Sequence, residues 1–335
     1  MNLWPSQQRS LLNQTISAAS EATGAFAVFD ADNTIWHHDV EEALISWMDS
    51  KGLIDLASLS PQLLPLPPLP LESGYSYYSR LSELSHSTSY LWAVQALSGF
   101  SLEELQSMLD EMMRLQAPIQ ATSMKLINGK IEQREHLINI PRIFPAQAQL
   151  IQELQNNNID VWVVSASAED LVRMLCCDPK YGLELPPERI IGVNMLLSGV
   201  DGTVFTSAQE RMSGHKGQGY YFSSKRMKSR MTHHLHAPAT WYAGKVSAIK
   251  EWIHPSKKPM LVAGDSPNDF YMQFYADVMS GGARLRITKE ECHTQQLKAA
   301  QALYSSGTTD NNAYKGWVEV SPEDLQGLSP IEPKP

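Results

Sequence analysis

Along the chain, apolar and polar positions fall into two rhythms. Residues 1–24 form a polar lead-in in which Leu11, Leu12 and Ile16 share one side of a helix, and it feeds the run Ala25-Phe26-Ala27-Val28-Phe29-Asp30-Ala31-Asp32-Asn33-Thr34. Small and apolar residues that run without a break into two acids predict a parallel strand buried on both faces. Val161-Trp162-Val163-Val164-Ser165 and Met260-Leu261-Val262-Ala263-Gly264-Asp265 repeat the pattern, and residues 190–196, 284–287 and 316–320 read as further strands, the last at an edge. Helical spacing fills the intervals. Asp39 caps a helix with Glu42 three residues on and Val40, Leu44 and Trp47 as its apolar stripe; Ser101 caps another that carries Leu105, Met108, Leu109 and Met112. Residues 145–155 and 270–274 are helical, Ser167-Ala168-Glu169-Asp170 caps a helix after the second strand, and Thr288-Lys289-Glu290-Glu291 caps one that runs to Leu303. Buried strands alternating with helices predict an α/β fold with an open, mostly parallel sheet.

The long interval between the first two strands breaks that alternation. Pro61-Gln62-Leu63-Leu64-Pro65-Leu66-Pro67-Pro68-Leu69-Pro70 cannot be helix or central strand, because proline lacks the donor and restricts its predecessor, so it reads as an extended connector. Residues 74–100 are rich in Tyr, Ser and Trp. Residues 41–140 are therefore expected to form a mostly helical insertion, with 1–40 and 141–335 making the sheet-bearing core. Turn signals at Ser198-Gly199 and Asp201-Gly202 predict a hairpin, and 203–240 reads as irregular. Arg211, Lys216, Lys225, Arg226, Lys228 and Arg230 read as a solvated hairpin rather than a polyanion patch, and His233, His234 and His236 as a solvated loop, since no second pair has zinc-site spacing.

Composition narrows the function classes. An apolar fraction of 43% over 335 residues supports a sizeable core, while a net charge of -9 and a pI near 5.6 argue against a nucleic-acid surface. Three cysteines, two of them adjacent, make no disulfide framework. No apolar run approaches the roughly 18 residues of a membrane span. Met1-Asn2-Leu3-Trp4-Pro5 has neither the basic start nor the apolar stretch of a signal peptide, so the sequence as written reads as cytoplasmic, or as periplasmic or secreted if a leader has been removed.

Open α/β sheets place their sites at the carboxyl ends of the strands. There, two carboxylates two residues apart point the same way and can share a metal or a phosphate. A carboxylate attacks phosphorus without prior deprotonation, which suits Asp30, and a second acid can protonate the leaving oxygen and then activate water, which suits Asp32. A calcium loop or a capped turn would explain the two acids taken alone.

Four pieces occur in order: Asp30-x-Asp32-x-Thr34, the strand ending at Ser165, Gly244-Lys245 ahead of a helical pattern, and Gly264-Asp265 with Asp269 four residues on. The set resembles the haloacid dehalogenase (HAD) superfamily of phosphatases. The resemblance implies a Rossmann-like parallel core with a helical cap inserted after the first catalytic strand, catalysis by Asp30, Asp32, Ser165 and Lys245, and phosphate held by Thr34, Ser165, Lys245 and Gly264. It also implies Mg2+ at Asp30, the backbone carbonyl of Asp32, and Asp265, with Asp269 supporting Lys245 or a metal-bound water. Asp32 argues against a dehalogenase, because a halide leaves without a proton and an alkoxide does not.

Residues 29–42 and 75–80, Leu171-Val172-Arg173-Met174, Asp178-Pro179-Lys180-Tyr181-Gly182, and Pro238-Ala239-Thr240-Trp241 with Ala243-Gly244-Lys245 extend the likeness to bacterial phosphorylcholine phosphatases, which are exported to the periplasm. This implies a small phosphomonoester substrate such as phosphocholine, with Glu41, Glu42, Tyr77 and Tyr78 around its cation. On the blander view those glutamates complement a helix N-terminus and those tyrosines fill the cap core. A phosphoamino acid or sugar phosphate is the alternative substrate, and a non-catalytic choline- or phosphocholine-binding protein the alternative class.

Overall fold

Phe26–Phe29 forms the middle of the sheet. Period-two alternation divides it. Phe26 and Val28 pack with Val164, Val262, Ile249 and Met272 on one face, and Ala27 and Phe29 enter the larger core on the other. Each fully buried side chain of this size favours the fold by about 1.5–3 kcal/mol over exposure. Two hydrophobic layers on one strand require cover on both sides, which is why the strand reads as continuously apolar.

A computed structural model describes residues 1–236, 239–306 and 312–326. Its sheet runs in the order Trp317–Val320, Ala283–Ile287, Leu261–Gly264, Phe26–Phe29, Asp160–Ala168, Ile190–Ser198, Val204–Phe205, with Arg230–His236 also paired to Ile190–Ser198. From Trp317–Val320 through Ile190–Ser198 the pairings are parallel; the two at the far edge are antiparallel. The parallel strands therefore present their carboxyl ends along one rim.

Between the first two core strands lie the helices Val40–Ser50, Gly74–Leu84, His86–Gln95 and Leu102–Met113, followed by a hairpin of two nine-residue strands, Ile119–Ile127 and Lys130–Ile138. The sequence reading missed that hairpin. Its turn signal is present, since Asn128 and Gly129 both adopt positive φ (51° and 78°). The second strand, KIEQREHLI, carries charges on both faces and is almost wholly exposed, so no apolar alternation marks it. Pro61–Leu63 forms one 3-10 turn within the connector.

Several local expectations change in the structure. Asp39 does cap its helix, accepting the Glu42 N–H at 2.8 Å, but the Glu42 carboxylate turns to the Tyr75 hydroxyl instead of returning to the cap. Ser167 caps nothing: the helix Glu169–Cys177 has Ala168 at its N-cap, whose N–H is taken at 2.5 Å by the carboxylate of Glu41 from another element. Thr288 donates to the carbonyl of Val320, and its helix begins at Glu291. Residues 203–236 are not irregular. They hold Ser207–Met212, Gln218–Tyr221, Ser224–Met227 and the strand Arg230–His236, which carries the three histidines read as a loop. Nor are Arg211 and Arg226 solvated: Arg226 is buried against Glu210, and Arg211 pairs with Glu169. Pro238 lies outside the described residues. No helix among the described residues is long and apolar enough to cross a membrane.

Candidate active site

The first strand ends at Phe29, one residue before Asp30. Asp30 extends it by donating its N–H to Ala263 at 3.0 Å, and the chain then closes into a turn as the N–H groups of Thr34 and Ile35 return to the carbonyl of Ala31. Asp32 thus reaches the cavity through a turn and not by strand alternation, as the two-residue spacing had suggested. Both of its oxygens accept hydrogen bonds, and the second keeps a free lone pair. One oxygen accepts from Trp36 Nε1 and the Val40 N–H, both at 2.8 Å, and the other from the Ser167 hydroxyl at 2.5 Å.

Lys245 sits inside, completely buried, with its ammonium 2.5 Å from Asp30 and 2.7 Å from Asp269. Thr34, equally buried, donates to the other Asp30 oxygen at 3.2 Å. Neither residue lines the cavity; both grip Asp30 from behind. The second oxygen of Asp269 accepts the N–H groups of Asp265 (3.0 Å) and Ser266 (3.1 Å), so the acid ties its own loop together while it holds Lys245. Gly264 is required by this packing, because a Cβ there would lie 2.5 Å from that of Asp269. It supports the loop from behind and does not face the cavity. Ser165 is buried on the cavity wall, its hydroxyl accepting from the Ser167 N–H.

The cavity has a volume of about 440 Å³. Asp30, Asp32, Ser165 and Asp265 line its core side; Asp39, Glu41 and Tyr90 face them, and Lys289 and His293 stand at the carboxyl end of Ala283–Ile287. Negative charge dominates. Burial, reinforced by Asp269, raises the proton affinity of Asp30 to about 7 despite the opposing pull of Lys245. Asp32 is pushed up to about 7 by burial and then by Asp39, against the Ser167, Val40 and Trp36 hydrogen bonds; Asp39 is pushed up to about 6 by burial and Glu42. Asp265 and Glu41 are raised well above the usual range by burial, then by Asp269 and Asp39 respectively. Burial would lower the Lys245 ammonium, but Asp269 and Asp30 outweigh it and keep it charged.

Carboxylate oxygens of Asp30, Asp265 and Asp269 all lie within 4.8 Å of one another. An all-oxygen set with more negative charge than nearby cations fits a hard divalent ion. The carboxylate of Asp32 is not in this set, since its hydrogen bonds hold it elsewhere.

The proposed cation residues divide. Glu41 lines the cavity, although one oxygen is spent on Ala168; Glu42 is turned to Tyr75. Tyr77 is fully buried, its hydroxyl on the backbone of Leu66 and its ring against Trp92, and is core. Tyr78 is buried close to Asp39, Glu42 and Glu41, which raise its hydroxyl after burial does, but it is not on the wall. Sequence reading missed Tyr90, Tyr242, Ser167 and Lys289. Position following a parallel strand could have flagged Lys289. Tyr242 holds φ 50°, an uncommon conformation for a bulky residue, with its N–H fixed at 2.6 Å by Asn268.

No family model matches the chain. It is 36% identical over 96% of its length to a phosphorylcholine phosphatase of Pseudomonas aeruginosa, of which 92% is covered. In fold it is similar to a conserved protein of unknown function from Anaerococcus prevotii, at a TM-score of 0.59 and 17% identity over 88% of this chain and 89% of that one. A cytosolic 5′-nucleotidase IIIB bound to cytidine aligns over 95% of this chain and 86% of its own at a TM-score of 0.44 and 12% identity. At that identity, over most of both chains, the chain belongs to the phosphorylcholine phosphatase family.

Proposed function

We propose that this chain is a magnesium-dependent phosphomonoesterase that works through an aspartyl-phosphate on Asp30 and acts on phosphocholine or a similar small phosphorylated alcohol. The observation that carries the reading is Asp30 itself, gripped from behind by Lys245 and Thr34 and open to a cavity walled by further acids. Mg2+ held by Asp30, the carbonyl of Asp32, and Asp265 would neutralise the phosphoryl oxygens that otherwise repel a carboxylate.

The chain's own residues do the rest. Asp30 attacks phosphorus while Lys245 and the Ser165 hydroxyl favour the charge that builds on the phosphoryl group. Asp32, whose affinity for a proton is raised to about 7, can hold one at neutral pH, give it to the departing alkoxide, and take one from the water that then hydrolyses the aspartyl-phosphate. Ser167, Trp36 and the Val40 N–H keep that carboxyl oriented.

A quaternary ammonium has no N–H, so it is recognised by aromatic faces and diffuse negative charge. Tyr90, Tyr242, Asp39 and Glu41 share the cavity and offer both; they replace Tyr77 and Glu42 as the cation-facing groups.

Phosphate release from phosphocholine, phosphoethanolamine, phosphoserine and an aryl phosphate, with magnesium and after chelation, tests the reading in parent and Tyr90→Leu. We expect activity only with the metal, a preference for phosphocholine, and about a tenfold rise in KM for phosphocholine alone in the variant. Full turnover after chelation, or a parent that prefers phosphoserine, would refute it.

A further inference from the structure

Beside the carboxylate cluster lies a second donor set of different chemistry. Cys292 Sγ is 3.3 Å from Glu290 Oε2, and His293 Nε2 is 3.8 Å from the same oxygen. One ligand atom from each of the three residues falls within 4.8 Å of the others. For a tetrahedral zinc-type ion with bonds of about 2.0–2.3 Å, neighbouring donors lie about 3.3–3.8 Å apart. The two separations fall at the ends of that range, so three corners of a tetrahedron are nearly assembled and the fourth is open.

We propose that Glu290, Cys292 and His293 bind a borderline-soft divalent cation of the zinc class, at a site separate from the acid cluster and on the mouth of the active cavity. Donor type distinguishes the two. Asp30, Asp265 and Asp269 offer only carboxylate oxygens and suit a hard ion, whereas a thiolate with an imidazole selects a thiophilic one. The His293 ring is available: its buried Nδ1 has no hydrogen-bond partner among the described residues, so no contact fixes the tautomer and Nε2 can present its lone pair. On binding, the Cys292 thiol releases its proton to solvent.

The site lies at the start of the helix Glu291–Ser306, where the backbone contributes about half a positive charge; Glu290 and Glu291 together outweigh it. Glu290 and His293 also line the cavity, next to Lys289, whose ammonium stands 3.8 Å from Asp265. An ion there narrows the mouth and adds positive charge where substrate enters. Occupancy therefore slows hydrolysis.

Cysteine chemistry gives a readout that needs no substrate, so it stands whatever the enzyme hydrolyses. Cys176 and Cys177 are completely buried and Cys292 is exposed, so alkylation of the folded protein by iodoacetamide reports Cys292. With magnesium saturating the carboxylate cluster, zinc at ten times its dissociation constant should slow alkylation roughly tenfold by mass action. His293→Ala keeps the thiol and should lose most of that protection. An alkylation rate that zinc leaves unchanged, or equal protection in His293→Ala, would overturn the site. In the same magnesium buffer, zinc should slow phosphate release by the parent and spare Cys292→Ser; equal inhibition of both would overturn the link to the cavity.

Discussion

Two groups of buried charge stand on either side of the strand Asp160–Ala168, and they are built on opposite principles. After the strand, Glu169, Asp170 and Glu210 meet Arg173, Arg211 and Arg226, three acids against three guanidinium groups. Arg173 pairs with Glu169 at 2.5 Å and with Asp170, Arg211 reaches Glu169 at 2.9 Å, Arg226 reaches Glu210 at 2.9 Å and Asp170 at 3.0 Å, and the Tyr221 ring lies 4.5 and 5.0 Å from Arg173 and Arg226. At the cavity, Asp30, Asp32, Asp39, Glu41, Asp265 and Asp269 share one fully buried cation, Lys245, and the part-exposed Lys289. The first group is neutral and closed, and Glu169 is held down to about 2. The second is in deficit, and Asp30, Asp32 and Asp39 are pushed up. Burying charge costs several kcal/mol per ion, so a balanced cluster belongs to the scaffold and an unbalanced one implies that a cation and a substrate complete it.

The largest expected effect comes from breaking the unbalanced cluster at its nucleophile. Asp30→Asn is nearly isosteric and leaves Lys245 paired with Asp269, so the thermal midpoint should hold or rise, while phosphate release should fall at least about a thousandfold because an amide cannot attack phosphorus. Rates within about tenfold of the parent would remove Asp30 from the chemistry. A variant that fails to fold would make the acid cluster scaffold after all.

The balanced cluster should answer in the reverse sense. Arg173→Met keeps the aliphatic stem but strips a fully buried cation from Glu169 and Asp170, which retain only Arg211 and Arg226. Breaking a buried pair in this way costs about 3–5 kcal/mol, read as a lower denaturant midpoint, with turnover of the folded fraction unchanged. A midpoint within error of the parent would mean that the network is solvated and contributes little.

The contrast also sets what the sequence could reveal. Asp30, Asp32, Asp265 and Asp269 follow continuous apolar runs, and a strand that ends in acids is a local pattern, so these residues and the parallel core around them were legible. The balanced cluster was not. Arg211 and Arg226 look like any basic stretch until Glu169 and Asp170, far upstream in the chain, are brought against them, and nothing local separates a buried arginine from a solvated one. Ser167 was misread for a related reason: a hydroxyl just before a helix fits a cap, but Asp32, remote in sequence, is brought beside it and accepts its hydrogen bond. Tyr77 and Tyr90 both sit in Tyr- and Ser-rich helices of the cap, and only packing sends the first to the core and the second to the cavity wall.

The smallest effect is a difference in pH dependence, and it bears on charge balance itself. Burial would raise the proton affinity of Glu169, but Arg211 and Arg173 prevail and bring it from 4.5 to about 2. A carboxyl held lower in the folded state stays ionised there at pH values where the unfolded chain has already taken up a proton. Stability from the pairing is therefore complete above about pH 4.5 and is lost as pH falls toward 2. Glu169→Gln removes this titration along with the pairing. It should be less stable than the parent at pH 7, and the gap should narrow between pH 4.5 and 3, because only the parent has that contribution to lose. Unfolding free energies of both proteins at pH 7, 5 and 3.5 measure it, with the remaining acids cancelling in the difference. A gap that stays constant down to pH 3 would show that Glu169 carries no charge of its own in the fold, and the balance drawn between it and the arginines would fail.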